Sequence, residues 1–305
     1  MTTAELRAHA DRLHRDRVPY VLATVVRAER PTSAKPGDSA LVLPDGSIDG
    51  FVGGVCAEST VRLEGLRLLA SGESELLRVT PEAADAVAPE GVRVVENPCL
   101  SGGTLEIFLE AVIPPVLVRV FGDSPIARAI AQVGTALDLD VQNDVDAALP
   151  VAPDTTAVVV AAHGRDEVPV LRAALAARVP YVALVASPRR SAAVLAELDV
   201  ADDERARIHA PAGLDIGART PHEIALSIYA EIVAQRPRAD AARPAEPPVS
   251  AAPAEALDPV CGMTVAVSPA SLSLSHEGVA WYFCGSGCRE AFRDAPQRYL
   301  ATPRP

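Results

Sequence analysis

The chain has 305 residues, of which 49% are hydrophobic, and a formal net charge of −12 at pH 7. This length suits about two domains with buried cores, and the acidic balance argues against binding nucleic acid or an anionic membrane. No apolar run approaches the ~20 residues of a membrane-spanning helix, and residues 1–17 lack the apolar core of a signal peptide. The sequence predicts a cytoplasmic protein.

The first 113 residues predict an α+β domain. Its expected elements are a helix over residues 4–15, strands over 20–27, 39–43 and 47–51, a helix over 57–70, and strands over 75–79 and 104–109. Pro44-Asp45-Gly46 is typical of the turn between two hairpin strands.

Residues 114–235 predict a Rossmann-like domain with a doubly wound parallel sheet, because strands alternate with helices there. The expected strands cover residues 116–121, 140–142, 156–162 and 181–186, and the expected helices cover 125–137, 168–177 and 189–198. A last helix begins after Thr220, where the spacing to Glu223 is that of a capping box.

Proline and alanine dominate residues 236–256, which predicts an extended linker. The remaining segment, 257–305, is a small module that contains Cys261, Cys284 and Cys288. Thiolates are preferred ligands of zinc and of softer ions, and disulfides are disfavoured in a reducing cytoplasm.

A metal site on these three cysteines is therefore the favoured interpretation of the module, since so small a unit buries little apolar surface. The fourth ligand stays open between His276 and an unfilled position. A structural disulfide or buried thiols are the alternative.

Two more cysteines lie in glycine-rich loops of the first domain. Cys56 stands at the start of a predicted helix, whose N-terminus stabilises a thiolate. The candidate residues of the two loops are Gly53, Gly54, Cys56, Glu58, Cys99, Gly102 and Gly103. Inert buried cysteine is the usual default, but two cysteines in such loops favour a functional site.

Lys35 is the only lysine of the chain. As a compact point charge it suits an anionic ligand such as phosphate. The alternative is a GC-rich genome that replaces lysine codons with arginine codons.

Gly122 follows a predicted strand and opens a helix, where a dinucleotide-binding turn would lie. Ser124 and Ala127 occupy the places of the other two glycines, and Asp144 lies near the expected position of a ribose-binding acid. His163 follows the next buried strand, at the carboxyl edge of the sheet. A turn that binds no NAD, and an ordinary loop histidine, are the alternatives.

The module resembles the YHS domain, a short metal-associated unit. The resemblance rests on DPVCGM, on WYFC-x-x-x-C, and on Phe292, Pro296 and Tyr299. It implies that Cys261, Cys284 and Cys288 bind a metal ion, zinc or copper.

The body, roughly residues 15–235, resembles the XdhC/CoxI accessory proteins of xanthine dehydrogenase and carbon monoxide dehydrogenase. The resemblance rests on PTSAKPGDSALVLPDGSIDGFVGG-x-CAE, ENPCLSGGTLEIFLE, VFGDSPIARAI, YVALVASPRR and PAGLDIGARTPHEIALSIYAEIV. It implies a non-catalytic maturation factor that binds the molybdenum cofactor (molybdopterin), supports its sulfuration and inserts it into an apo molybdenum hydroxylase.

Carried over from the resemblance, Cys56 and Cys99 hold or protect the cofactor. The implied partners are the apo-enzyme and a cysteine desulfurase, and a homodimer is left open. One departure concerns Val55, which stands where the family commonly has a third glycine, so the pose of the ligand is open.

Two other functions compete with this one. An NAD(P)-dependent oxidoreductase would use the Gly122 turn, and a metal chaperone or sensor would act through the cysteine module with the body as its scaffold.

Overall fold

The computed structural model describes residues 1–81, 91–97, 103–147, 151–235 and 252–300. Its described residues form two compact units. One unit combines those of Met1–Pro114 with those of Glu246–Pro305, and the other comprises those of Pro115–Ala245. None of the described helices has the length and apolar character that crossing a membrane requires.

The N-terminal domain is a mixed six-stranded sheet packed on a long helix. Its elements are α1 (Thr3–Arg15), β1 (Tyr20–Ala28), β2 (Ser39–Val42), β3 (Ile48–Gly50), α2 (Val55–Ser71), β4 (Glu75–Thr80), β5 (Val92–Glu96) and β6 (Leu105–Val112). The strand order is β3-β2-β1-β6-β4-β5, in which β4 and β5 run parallel and the other neighbours antiparallel.

Helix α2 forms the core of this domain with the inner strands. Leu66 and Leu69 pack in one cluster with Leu77 of β4 and Ile107 of β6. The helix ends at Gly72, which adopts a left-handed φ of 75° at the C-cap, a conformation that costs glycine little. The sheet therefore fixes the N-terminus of α2, where Cys56 lies.

Strand β5 is not among the predicted elements. Its sequence, Val-Arg-Val-Val-Glu, is only half-buried at the edge of the sheet. It lacks the strict alternation of buried and exposed residues that identifies a strand from sequence.

The second unit is a five-stranded, all-parallel sheet with strand order β11-β10-β9-β7-β8. Its elements are β7 (Leu117–Phe121), α3 (Pro125–Ala136), β8 (Asp140–Asp144), β9 (Thr155–Val160), α4 (Glu167–Ala176), β10 (Tyr181–Leu184), α5 (Pro188–Glu197), α6 (Asp202–Arg205), β11 (Ile208–His209) and α7 (Pro221–Ala234). The predicted Rossmann-like fold class is confirmed.

The C-terminal module contains two short antiparallel strand pairs and two helices. Its elements are β12 (Glu255–Leu257), β13 (Thr264–Ala266), β14 (Leu272–His276), β15 (Val279–Phe283), α8 (Ser286–Asp294) and α9 (Pro296–Leu300). Phe292 is fully buried and contacts the rings of His276, Trp281, Phe283 and Tyr299.

The predicted linker, residues 236–256, lies mostly outside the described residues, and β12 already begins at Glu255. The predicted boundaries at 113, 235 and 256 stay predictions.

Candidate functional site

The three cysteines of the module meet at one point. Cys261 lies between β12 and β13, Cys284 directly follows β15, and Cys288 lies in the first turn of α8. The Cys284 sulfur is 3.6 Å from that of Cys261 and 3.7 Å from that of Cys288, and none of the three forms a disulfide. Thiolates around a tetrahedral zinc ion, bound at ~2.3 Å, lie roughly 3.8 Å apart. The cluster can therefore hold a metal ion.

Asp258 lies next to the three cysteines. One oxygen of its carboxylate and the three sulfurs all lie within 4.8 Å of one another. Its side chain is buried, with Oδ1 accepting from the Val260 amide at 2.9 Å and Oδ2 from the Cys284 amide at 2.8 Å. The sequence analysis missed Asp258, although it begins the DPVCGM run. His276, which was left open as a fourth ligand, instead packs edge-on against Phe292.

Hydrogen bonding and burial shift the pKa values of the three thiols in different directions. The hydrogen bond between the Cys261 and Cys284 sulfurs lowers the pKa of Cys261 and raises that of Cys284. Burial, together with the charge of Asp258, raises the pKa of Cys288 to about 12. Of the three cysteines, Cys261 therefore loses its proton most readily, and Cys284 and Cys288 hold theirs to higher pH.

This order of deprotonation predicts the titration of the metal-free protein. Thiolate absorbance in the ultraviolet is expected to rise first below the ordinary thiol range, from Cys261. Because folding lowers this pKa, the thiolate stabilises the fold at high pH, and that contribution is lost as the pH falls through the lowered value. Cys261→Ser should remove the early step and Cys288→Ser should keep it. An early step that persists in Cys261→Ser would contradict this assignment.

A second group of candidate residues lies where three segments of the N-terminal domain meet. At Gly53, whose φ is 141°, a Cβ atom would lie 3.2 Å from Leu105 and 4.0 Å from Ala34. At Gly103, a Cβ atom would lie 2.3 Å from the carbonyl oxygen of Pro31. These contacts bring together the segment that carries Lys35, the turn before α2 and the start of β6. We call these three segments the loop site.

The start of α2 gives the loop site its polar character. Gly54 is the N-cap residue and makes no side-chain cap hydrogen bond, and amides in the first turn of a helix are donors of the kind that bind anions. Lys35 is exposed, and its amide donates to Asp38. The Glu58 carboxylate is turned to Arg62, 3.0 Å away.

Cys56 lies in the first turn of α2, as predicted, and is half-buried. It also packs against the cysteine cluster of the module and hydrogen-bonds to the Cys284 thiol. The sequence predicted Cys56 and the three cysteines of the module as separate sites, and the structure brings them together. Cys99 and Gly102 lie outside the described residues.

The Gly122 turn belongs to the second unit. Gly122 has a φ of 126°, and a Cβ atom there would lie 2.5 Å from the carbonyl oxygen of Ala161. Ser124 caps α3 through a bond from the Ala127 amide. The Asp144 carboxylate is held by Arg119, and His163 is exposed. Close packing at Gly122, helix capping by Ser124 and the ion pair of Asp144 give each of these residues a structural role, and nucleotide binding at this turn stays a prediction.

We predict that Gly122→Ala lowers the free energy of unfolding of the second unit by about 2–3 kcal/mol, through backbone strain and overlap with Ala161. Ser124→Ala should cost about 1 kcal/mol, the usual loss of a helix cap. Urea unfolding of both variants checks this order. Equal stability of Gly122→Ala and the parent would show that the turn tolerates a side chain.

The family comparisons agree with these domains. Residues 118–232 match the XdhC Rossmann domain, residues 13–80 match the XdhC and CoxI family, and residues 256–302 match the YHS domain. The chain belongs to the XdhC/CoxI family and carries a C-terminal YHS domain.

Two Escherichia coli (strain K12) proteins are similar to much of the chain. It is 29% identical over 256 residues to the uncharacterized protein YqeB, covering 73% of this chain and 45% of YqeB. It is 28% identical over 264 residues to the molybdenum cofactor insertion chaperone PaoD, covering 71% of this chain and 83% of PaoD. The chain thus matches less than half of the length of YqeB.

Two further similarities are partial or distant. A copper-transporting P-type ATPase from Rhizobium leguminosarum bv. viciae is 46% identical over 50 residues, which make up 16% of this chain and 6% of the ATPase. Among solved structures, a xanthine dehydrogenase from Bacillus halodurans aligns with a TM-score of 0.35 and 16% identity, over 77% of this chain and 97% of that chain.

Proposed function

We propose that this protein holds the molybdenum cofactor and delivers it to an apo molybdenum hydroxylase of the xanthine dehydrogenase or carbon monoxide dehydrogenase type. The observation that carries the proposal is the loop site, where Lys35 and Cys56 accompany the open first turn of α2. The similarity to PaoD, named as a molybdenum cofactor insertion chaperone, supports it.

The residues of the loop site fit an anionic, phosphate-bearing pterin. First-turn amides of α2 and the Lys35 ammonium group would hold the phosphate, and Gly54 leaves room, since nothing lies within 4 Å of a Cβ atom built there. The Cys56 thiol would face the sulfur-rich end of the ligand. When bound, the cofactor supplies the molybdenum that the target enzyme lacks.

In this function the chain's own residues bind and protect, and they catalyse no turnover of their own. Cys56, with Cys99 of the second glycine-rich sequence, would keep the cofactor bound and shielded until transfer. A cysteine desulfurase is the partner we propose for sulfuration, and the apo-hydroxylase is the acceptor. A homodimer would allow two copies to share one ligand.

Purification of the full chain from a molybdenum-replete host tests the proposal. We expect molybdenum and pterin fluorescence to co-elute with the protein, close to one of each per chain, and Lys35→Ala to lower both. Nicotinamide nucleotide in place of pterin would instead support an oxidoreductase. Protein purified without molybdenum and pterin would contradict the proposal.

Metal delivery through the YHS domain is the second candidate function. It is favoured by the sulfur spacing of Cys261, Cys284 and Cys288 and by the segment shared with a copper-transporting ATPase. It predicts that function depends on the module rather than on the loop site, a contrast that variants of Lys35 and Cys288 can resolve.

A further inference from the structure

The YHS domain packs directly on the N-terminal domain within one compact unit. Ala266 of β13 is part of the buried core that α2 forms with the sheet. Arg67 of α2 pairs with Glu255 of β12 through two nitrogens, at 2.7 and 3.1 Å. Gly46 lies so close to Ser268 that a Cβ atom would be 2.4 Å from its hydroxyl oxygen. The buried Ala266, the Arg67–Glu255 ion pair and the Gly46–Ser268 contact together fix the module against the N-terminal domain.

This packing places the cysteine cluster beside the first turn of α2, on the side that carries Cys56. Gly285, beside Cys284, lies against Val55, with a Cβ atom there 3.3 Å from the valine side chain. The next residue, Cys56, contacts the cluster formed by Met263, Val265 and Cys284.

We propose that Cys56 is the fourth thiolate of a metal centre that it shares with Cys261, Cys284 and Cys288. The centre would join the N-terminal domain to the YHS domain and bind a zinc or copper ion. Structural zinc sites are four-coordinate, so three cysteines leave one position to fill, and Cys56 is a thiol from outside the module that contacts the cluster.

Asp258 is the competing fourth ligand, because one of its oxygens lies within 4.8 Å of all three sulfurs, but its contacts give it a different role. Both of its oxygens already accept backbone amides, from Val260 and Cys284. These bonds shape the loop that presents the sulfurs, as outer-shell carboxylates commonly do. Cys56 enters instead from the first turn of a long helix, where the helix dipole favours a bound thiolate.

An ion can reach the centre from solvent. A cleft of ≈ 470 Å³ between α2, β5 and the 261–264 loop is lined in part by Cys261, Glu64 and Arg93. A loaded centre would also withdraw Cys56 from the loop site, so that metal and cofactor compete for one thiol. This last consequence rests on the proposed function, whereas the metal centre does not.

The test uses the full metal-free chain with one equivalent of Zn²⁺ and X-ray absorption at the zinc edge. We expect four sulfur ligands at about 2.3 Å. In Cys56→Ser we expect three sulfurs with one lighter atom, and a loss of zinc affinity greater than the ~10–100-fold that removing an outer-shell partner costs. Val55→Ala, which trims the neighbouring side chain without removing a thiol, should keep four sulfurs.

Alkylation gives a second measurement that involves no cofactor. Site-resolved mass spectrometry should show Cys56 reacting with iodoacetamide at least about tenfold more slowly with zinc than with a chelator, because a bound thiolate is a poorer nucleophile. Three sulfurs in the parent protein, an unchanged sulfur count in Cys56→Ser, or equal alkylation rates would each overturn the shared centre. None of these results depends on whether the chain binds molybdopterin.

Discussion

Replacing Cys56 with serine is expected to lower the yield of active target hydroxylase by about 10–100-fold, equivalent to ~1.5–3 kcal/mol for one contact to a charged group. Serine keeps the size of the side chain but cannot supply a thiolate at neutral pH. The measurement is the activity and molybdenum content per molecule of a hydroxylase co-expressed with each variant.

Cys288→Ser is the informative comparison, because it removes a sulfur from the YHS domain and leaves Cys56 in place. We expect it to weaken metal binding while the hydroxylase still receives its molybdenum. The opposite pattern, with full maturation by Cys56→Ser and none by Cys288→Ser, would refute the role of the loop site and favour metal delivery.

Gly103→Ala is expected to lower the free energy of unfolding of the unit that contains the loop site by about 3 kcal/mol. The methyl group would lie 2.3 Å from the Pro31 carbonyl oxygen and 2.6 Å from that of Glu29. Backbone atoms cannot turn aside as a flexible side chain can, so the segment that carries Lys35 must move. Chemical denaturation of the purified variant measures the loss of stability, and its cofactor content shows whether movement of the Lys35 segment weakens the loop site.

Gly54→Ala serves as the matched control, since nothing lies within 4 Å of a Cβ atom at that position. It should cost less than about 1 kcal/mol, the effect of a poorer N-cap. Comparable losses in Gly103→Ala and Gly54→Ala would show that close approach at Gly103 does not hold the loop site together.

The fold class could be predicted from the sequence because it depends on local patterns. Alternating strands and helices after Pro114 indicated the parallel sheet, and the capping-box spacing at Thr220 located α7. Strand β5 was missed because edge position, rather than hydrophobic periodicity, defines it. The small strand β12 lies where proline and alanine indicated a linker.

The site was only partly predictable, because its geometry depends on contacts between distant parts of the chain. The spacing of Cys284 and Cys288 around a Gly-Ser-Gly turn is local, and the structure brings these two cysteines together with Cys261. Cys56 precedes the second unit in the sequence and Cys284 follows it, so no local pattern encodes the contact between them. Asp258 was missed because its role arises from two backbone bonds that exist only in the folded loop.

The most direct test of cofactor delivery is transfer in a purified system. The chain, purified from a molybdenum-replete host, is mixed with an apo-hydroxylase, and the two proteins are then separated and assayed for molybdenum and pterin. Delivery predicts that both move from the chain to the enzyme as activity appears, and that Cys56→Ser transfers about 10–100-fold less of each. Activation of the enzyme with no loss of molybdenum from the chain, or equal transfer by Cys56→Ser, would contradict it.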